Sequence, residues 1–531
     1  MPAEGLRATI HGDIVHSRPL TISYGPKASG DGTEFRIFYG ANDGLYRALD
    51  PDTGEEDWAL IASQHTDGIE RLYRNTPTIN YYGLDASLSS SIAAEDKDYF
   101  FDGSTGAYTV YNSDNELTEG YIFPTMRRGG RMVYGLDISP SGAAGTPPSS
   151  PTLLWKVGCP NLDNDTGCTS GFSDIGQTWS TPVTGVAAGW DSGESPVVIF
   201  GGGWDTCLDD DTAAFPSSCS KGAALYVVDM ATGNLIGRYA TDEPVVAEVS
   251  PVDIDGDGAI DFVYAADAGG NLYRLSLGYL TGSAATGTVT LDSADWFITK
   301  IADASSSEIR FMNKPVVGEL GNYIFVTLGT GDRERPLQVN YPYDSDVSNR
   351  FYVFLDRPFP HLSGETDVAS RASINLDGST MLNAATGLAA GETLLDFDGW
   401  YQELADRGEQ IVNQSAISGG YVFFNSFQPE GGSRGQCSNL GTSKAYRIPL
   451  FAPEYDDGEE YGQGIPIPPI IVTVDLDSNE PSCTSDCGEG EITEEVVTVC
   501  IGCEGFDPIE IEPVISDGMT EAFRVENMDA Q

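Results

Sequence analysis

The residues best suited to chemistry are Asp253-Ile-Asp255-Gly-Asp257-Gly-Ala259-Ile-Asp261. Counted from Asp253, carboxylates fall at positions 1, 3, 5 and 9, and Ala259 at position 7 can offer its backbone carbonyl. Gly258 at position 6 permits the sharp turn that folds these oxygens around one ion. Ca2+ takes about six to eight hard oxygen ligands, and carboxylates this crowded repel one another without a cation. Position 12 is Tyr264, not the Glu of a helix-loop-helix hand, and the residues after Asp261 read as a strand. The expectation is a calcium loop between strands, with Asp253, Asp255, Asp257, Asp261 and the Ala259 carbonyl as ligands. Other acidic turns, at 163–167, 209–211 and 475–479, read as solvated surface.

The nine cysteines have local spacings. Cys159 and Cys168 flank eight residues, Cys207 and Cys219 flank eleven, and both segments are polar and rich in turn formers. Short disulfide-closed loops are expected, which places the chain in an oxidising compartment. Near the C-terminus, Cys483-x3-Cys487 and Cys500-x2-Cys503 have the spacing of a four-thiolate zinc site, but in an exported protein disulfides are favoured there. Cys437 is left over and either joins that set or stays free. Four histidines, His11, His16, His65 and His361, form no metal pair and adjoin no nucleophile motif. His16 reads as structural. There is no Gly-x-Ser-x-Gly elbow, phosphate-binding loop or dinucleotide fingerprint, so the sequence points away from an enzyme.

The elements that position the acidic loop are strands. Apolar runs bounded by turn residues recur at 35–39, 45–49, 131–138, 196–200, 224–229, 262–265, 271–277, 322–328, 350–355 and 420–424. The segment 391–407 has the best helical periodicity and is expected to hold one helix. A weak repeat links Tyr39–Trp58, Val133–Lys156, Leu225–Leu235 and Val263–Leu275: strand, Gly/Asp turn, aromatic-containing strand, Asp-x-x-Thr-Gly turn, strand. A small sheet cannot bury both faces alone, so such units stack around an axis as propeller blades. The fold class expected is an all-β, decorated propeller over 1–453. A small acidic, Cys-containing segment follows at 454–531, where 21 acidic residues meet a single base, Arg524.

The 531 residues carry 80 Asp+Glu against 28 Lys+Arg, a formal net charge of -52. That surface repels phosphate backbones and anionic lipid, which excludes nucleic-acid binding and argues against membrane partners. No run approaches the ~18 apolar residues of a membrane helix. With 40% apolar residues the chain can still bury a large core. So much surface acid with so few lysines suits a saline setting, where salt screens the repulsion.

Several stretches taken together resemble a known family. They are Gly12-Asp-Ile-Val-His-Ser-Arg-Pro19, the Tyr39–Trp58 repeat, Gln177-Thr-Trp-Ser-Thr-Pro182, Phe200-Gly-Gly-Gly203 and, above all, Asp253–Leu277. Weaker echoes fall at Gly329-Thr-Gly-Asp332 and at 436–443. The chain is similar to the C-terminal propeller domain of type IV pilus tip proteins of the PilY type. The resemblance implies a modified seven-bladed, quinoprotein-like propeller that is not an enzyme. It implies one calcium loop, mapping onto Asp253, Asp255, Asp257, Ala259 and Asp261, that controls pilus extension against retraction. It also implies an extracellular place at the pilus tip, minor pilins as partners, and a part in surface attachment and twitching motility. The export signal is then expected outside this chain. The family's large N-terminal region has no counterpart here, and no Arg-Gly-Asp triplet occurs. Two other readings of the propeller remain. A quinoprotein dehydrogenase typically uses adjacent cysteines, which are missing, and an integrin-like propeller predicts several Asp-x-Asp-x-Asp-Gly loops, where one full copy is present.

Overall fold

The computed structural model describes residues 11–27, 30, 32–74, 78–80, 94–142, 145–187, 189–193, 195–209, 219–277, 293–304, 308–320, 323–338, 347–358, 373–376, 380–430, 440–475 and 496–501. Strands dominate, and each of the ten segments expected as strands overlaps one; Leu45–Leu49 and Ala224–Asp229 match at both ends. The chain divides into two compact units, Met1–Ser305 and Ser306–Gln531.

Among the described residues the first unit holds four larger sheets, each built from strands consecutive or nearly so in sequence, besides the two-stranded parallel pair Thr78–Asn80 with Ala94–Asp96. The first runs Leu20–Pro26, Thr33–Gly40, Leu45–Leu49, Glu56–Ile61. The second runs Thr105–Tyr111, Leu117–Pro124, Arg131–Asp137, Thr152–Cys159. The third runs Val183–Ala187, Pro196–Gly201, Ala224–Asp229, Leu235–Ala240, and the fourth Ser250–Val252, Phe262–Ala266, Leu272–Ser276, Phe297–Asp303. All pairings along these four runs are antiparallel. Strands Phe262–Ala266 and Leu272–Ser276 are buried at every residue. A strand covered on both faces needs a continuous apolar run rather than alternation, which Phe262–Ala266 shows; Leu272–Ser276 buries Arg274 and Ser276 as well.

The repeated Asp-x-x-Thr-Gly turns are the same device twice. Asp50 Oδ1 accepts the Asp52 and Thr53 N–H groups, and Gly54 N–H donates to Asp50 O at 2.8 Å. Asp229 Oδ1 accepts Thr232 N–H at 2.8 Å, and Gly233 N–H donates to Asp229 O at 2.8 Å. The glycines sit at φ +72 and +69, the left-handed region that a side chain disfavours.

In the second unit, one sheet is ordered Val316–Leu320, Tyr323–Gly329, Arg350–Asp356, Gly399–Glu403, with Leu382–Asn383 added in parallel. Another is ordered Gln410–Ile411, Tyr421–Gln428, Thr442–Pro449, Glu459–Gln463, with Ala416–Ser418 also on Tyr421–Gln428. The chain past residue 454 therefore begins as a strand of this sheet.

The expected helix at 391–407 is not formed. A short 3-10 turn, Leu394–Asp396, capped reciprocally by Thr393 and Asp396, leads into the strand Gly399–Glu403. Trp400 is fully buried in that strand, and its indole N–H donates to Leu450 O at 2.9 Å. Tertiary burial of one aromatic outweighs the helical spacing around it. The α-helix among the described residues is Thr66–Arg74, with no buried residue.

Candidate metal centre

The acidic loop lies where expected, between strands. Its entry is Ser250–Val252 and its exit leads into Phe262–Ala266, two strands that pair with each other in the fourth sheet. Within the loop, Ala259–Ile260 leaves that sheet and pairs in parallel with Val183–Ala187 of the third, Val186 opposite Ala259 and Ala187 opposite Ile260. The acidic turn thus connects two neighbouring sheets of one unit. Sequence spacing carried no signal for this second pairing, because it depends on a strand some seventy residues away.

The backbone of the loop wraps inward onto its own carboxylates. Asp253 accepts the N–H groups of Gly256 at 2.8 Å, Asp257 at 3.2 Å and Gly258 at 2.8 Å. Asp255 accepts Asp257 N–H at 3.2 Å, and Asp257 accepts Ala259 N–H at 2.8 Å. Asp261 accepts Ile254 N–H at 2.8 Å, while its own backbone is held by Val252 O and Leu277 N–H. Gly258 has φ +90 and Gly256 φ +73, so two glycines rather than one allow the wrap.

Three of the four expected carboxylates come together. Oxygens of Asp253, Asp255 and Asp261 lie within 4.8 Å of one another. Asp257 is outside that group and faces Ala259 N–H instead. Asp255 is exposed, Asp253 half-buried and Asp261 4% exposed. Burial, reinforced by Asp255, Asp253 and Asp257, pushes the Asp261 carboxyl up to about 7 against the pull of Ile254 N–H. Burial and then Asp257 also raise Asp255. A carboxylate has about four lone-pair sites, so each of the three keeps free acceptors. Hard oxygens and clustered negative charge on a short glycine-containing loop fit a calcium-sized ion.

The other expectations divide. Cys159–Cys168 and Cys207–Cys219 are disulfides. His16 is structural: its Nδ1 lies 2.7 Å from the buried Asp102, which also accepts from Asn42. The acidic turn at 163–167 is more than solvated surface, and so is Asp209, the one described residue of the turn at 209–211. Asp165 pairs with Arg131 and Lys221, and Asp209 with Arg128 and the Trp204 indole. The cysteines 437, 483, 487 and 503 lie outside the described residues; Cys500 falls in the strand Val496–Ile501. The turn at 475–479 is described only at Asp475.

One buried carboxylate gave no sequence signal beyond a Gly-rich turn. Asp267 is fully buried and is met by N–H groups of Glu243, Gly269 and Asn271, the Asn271 side-chain amide and the Tyr273 hydroxyl. Burial pushes it up to about 7 while those donors pull it back.

With this geometry in place, comparison with known proteins is informative. A family model for the PilY1 beta-propeller domain matches residues 23–299, just over half of the chain, and includes the acidic loop. A type IV pilus biogenesis factor PilY1 homolog of Xylella fastidiosa is 24% identical over 438 residues, covering 77% of this chain and 25% of that protein. Type IV pilus biogenesis factor PilY1 of Pseudomonas aeruginosa is 28% identical over 294 residues, covering 51% of this chain and 21% of that protein. The chain thus spans about a quarter of the length of these relatives or less. The crystal structure of the Pseudomonas aeruginosa PilY1 C-terminal domain superposes with a TM-score of 0.52 at 16% identity, covering 79% of this chain and 80% of that one. That likeness gives the fold, a β-propeller. The chain belongs to the PilY1 beta-propeller family.

Proposed function

We propose that this chain is the calcium-binding propeller of a type IV pilus biogenesis factor, acting outside the cell at the pilus tip. Its similarity to type IV pilus biogenesis factors supports the pilus assignment. The observation that carries the calcium reading is the convergence of Asp253, Asp255 and Asp261 oxygens within 4.8 Å in a loop joining two sheets. Asp257 and the Ala259 carbonyl would complete the ligand set. The ion supplies positive charge; the chain's own residues do the rest.

With the carboxylates uncompensated, like charges push the loop open. When they are neutralised, the loop is drawn in between Val252 and Ile260, and the third and fourth sheets are tied through it. The surface offered to a partner then depends on calcium, which is a route to controlling pilus extension against retraction. The partners would be minor pilins of the tip complex, and the tip location would make the chain an adhesin in surface attachment. The role is one of binding and regulation, not catalysis. The propeller is read as spanning 1–453 together with the strand Glu459–Gln463, and the rest of 454–531 as an appended acidic module.

Calorimetric titration with calcium chloride tests the site, and pull-down of minor pilins with and without calcium tests the role. Stoichiometric calcium binding and calcium-dependent capture are expected. Absence of any calcium binding to the wild-type chain sinks the reading.

A further inference from the structure

The two disulfide loops have no part in the metal centre, yet they border one cavity. Residues 162–165, inside the loop closed by Cys159–Cys168, form one wall. Asp205, Thr206, Ser220 and Lys221, flanking Cys207–Cys219, form another, and Gln177 lies between them. The cavity volume is about 220 Å³. Gln177 is fixed by its bridge to Trp204, with N–H···O bonds of 2.8 and 2.9 Å in the two directions.

The ionic groups around this cavity are already engaged. Arg131 donates from Nε to Ile175 O at 2.8 Å and from its two Nη atoms to Asn161 O, Asn164 O, Ser173 O and Asp165 Oδ1. Lys221 Nζ donates to both Asp165 oxygens and to Ser173 O. Asp205 accepts the N–H groups of Cys207, Ser220 and Lys221. Neither cation is therefore open to an anionic ligand, and the two paired acids have donors of their own.

What remains is neutral and mixed in sense. Gln177 is 6% exposed; its Oε1 accepts the Trp179 indole N–H at 3.1 Å, and its Nε2 makes no hydrogen bond among the described residues. The Asn164 amide nitrogen and the Thr206 and Ser220 hydroxyls likewise have no partner among the described residues, and Asp163 adds a free acceptor at the rim. Gln177 lines the cavity, so this amide donor is open to a ligand there. Donors and acceptors interspersed without spare charge match the alternating hydroxyls of a sugar. A volume below the ~300 Å³ of the smaller drug-sized sites suits one ring, with the rest of a glycan running out to solvent.

We propose that the cavity between the two disulfide loops is a saccharide-binding site, with the Gln177 amide at its floor and Asn164, Thr206 and Ser220 as further hydrogen-bonding partners. Each disulfide holds its own wall in shape, and the Lys221–Asp165 ion pair and the Gln177–Trp204 bridge link the two, which lowers the ordering cost of binding. The site is separate from the acidic loop and does not rest on the calcium reading.

The test is saturation-transfer NMR on the full 531-residue chain with the methyl glycosides of galactose, mannose and N-acetylglucosamine. At least one should bind saturably with a Kd in the range of about 1 mM. Gln177→Leu should weaken it about tenfold, and the more peripheral Thr206→Val about threefold, with near-ultraviolet circular dichroism unchanged. If Gln177→Leu does not fold, Thr206→Val decides. No saturable signal from any of the three sugars, or wild-type affinity in the folded variants, overturns the proposal.

Discussion

Two acidic turns of the same sheet stand six residues apart and behave oppositely. At Asp267 the protein supplies its own donors: three backbone N–H groups, an amide and a phenol converge on a carboxylate with no exposure. At Asp253, Asp255 and Asp261 the carboxylates converge on one another instead. The first is a closed polar network that fixes a turn; the second has acceptor capacity left over and no ion pair to a protein cation among the described residues. An aspartate therefore signals a metal site through what fails to saturate it, more than through its count.

The harshest way to break this comparison is Asp267→Ala. Five donors then lose their acceptor in the interior, so stability should fall by ~3–5 kcal/mol, read by urea unfolding at pH 8, with Asp267→Asn recovering part. A loss as small as that of an exposed residue would mean the network is not closed. Next comes Asp261→Ala. Calcium at 100 times its Kd should stabilise the wild-type chain by ~2.7 kcal/mol in thermal unfolding and leave the variant unchanged. If the variant keeps the calcium shift, Asp261 is not a ligand.

A third buried group sharpens the contrast. His65 packs edge-on against Phe100 and Phe101, donates from Nε2 to Gly129 O at 3.0 Å, and has a buried Nδ1 with no partner among the described residues. Burial holds its pKa below the usual 6.5. The unfolded chain binds this proton first, so the stability advantage of wild type over His65→Gln is present above pH ~6.5 and shrinks as pH falls below it. The slope is at most ~1.4 kcal/mol per pH unit, measured as the difference between the two unfolding curves. The smallest effect is expected at Asp255→Ala. Being exposed, it should change stability by no more than ~0.5 kcal/mol while weakening calcium affinity. A larger stability loss would show that the loop is tied down by its own hydrogen bonds rather than held in reserve for an ion.

Much of the propeller was legible because its signals are local. The ten strand segments, the paired Asp-x-x-Thr-Gly turns and both short disulfide loops depend on residues a few positions apart, and all are found. The helix expected at 391–407 failed for a nonlocal reason: Trp400 is buried as part of a sheet whose other strands lie far away in sequence. The candidate site was legible in the same proportion. Spacing identified the acidic loop and the need for Gly258. It could not separate Asp257 from the converging three, nor foresee that Ala259–Ile260 pairs with Val183–Ala187.

Strand periodicity, turn chemistry, the acidic loop and the strongly negative charge follow from neighbouring residues or from composition. Which carboxylates are saturated and which are not follows from the folded arrangement alone. Hydrogen-bond donors such as Glu243 N–H and Tyr273 O–H reach Asp267 through folding, and burial raises the energy of a charge only once the surrounding strands exclude water. The same holds for the cavity of Gln177. Its two walls are fixed locally by disulfides, but they are brought together by the bridge between Gln177 and Trp204.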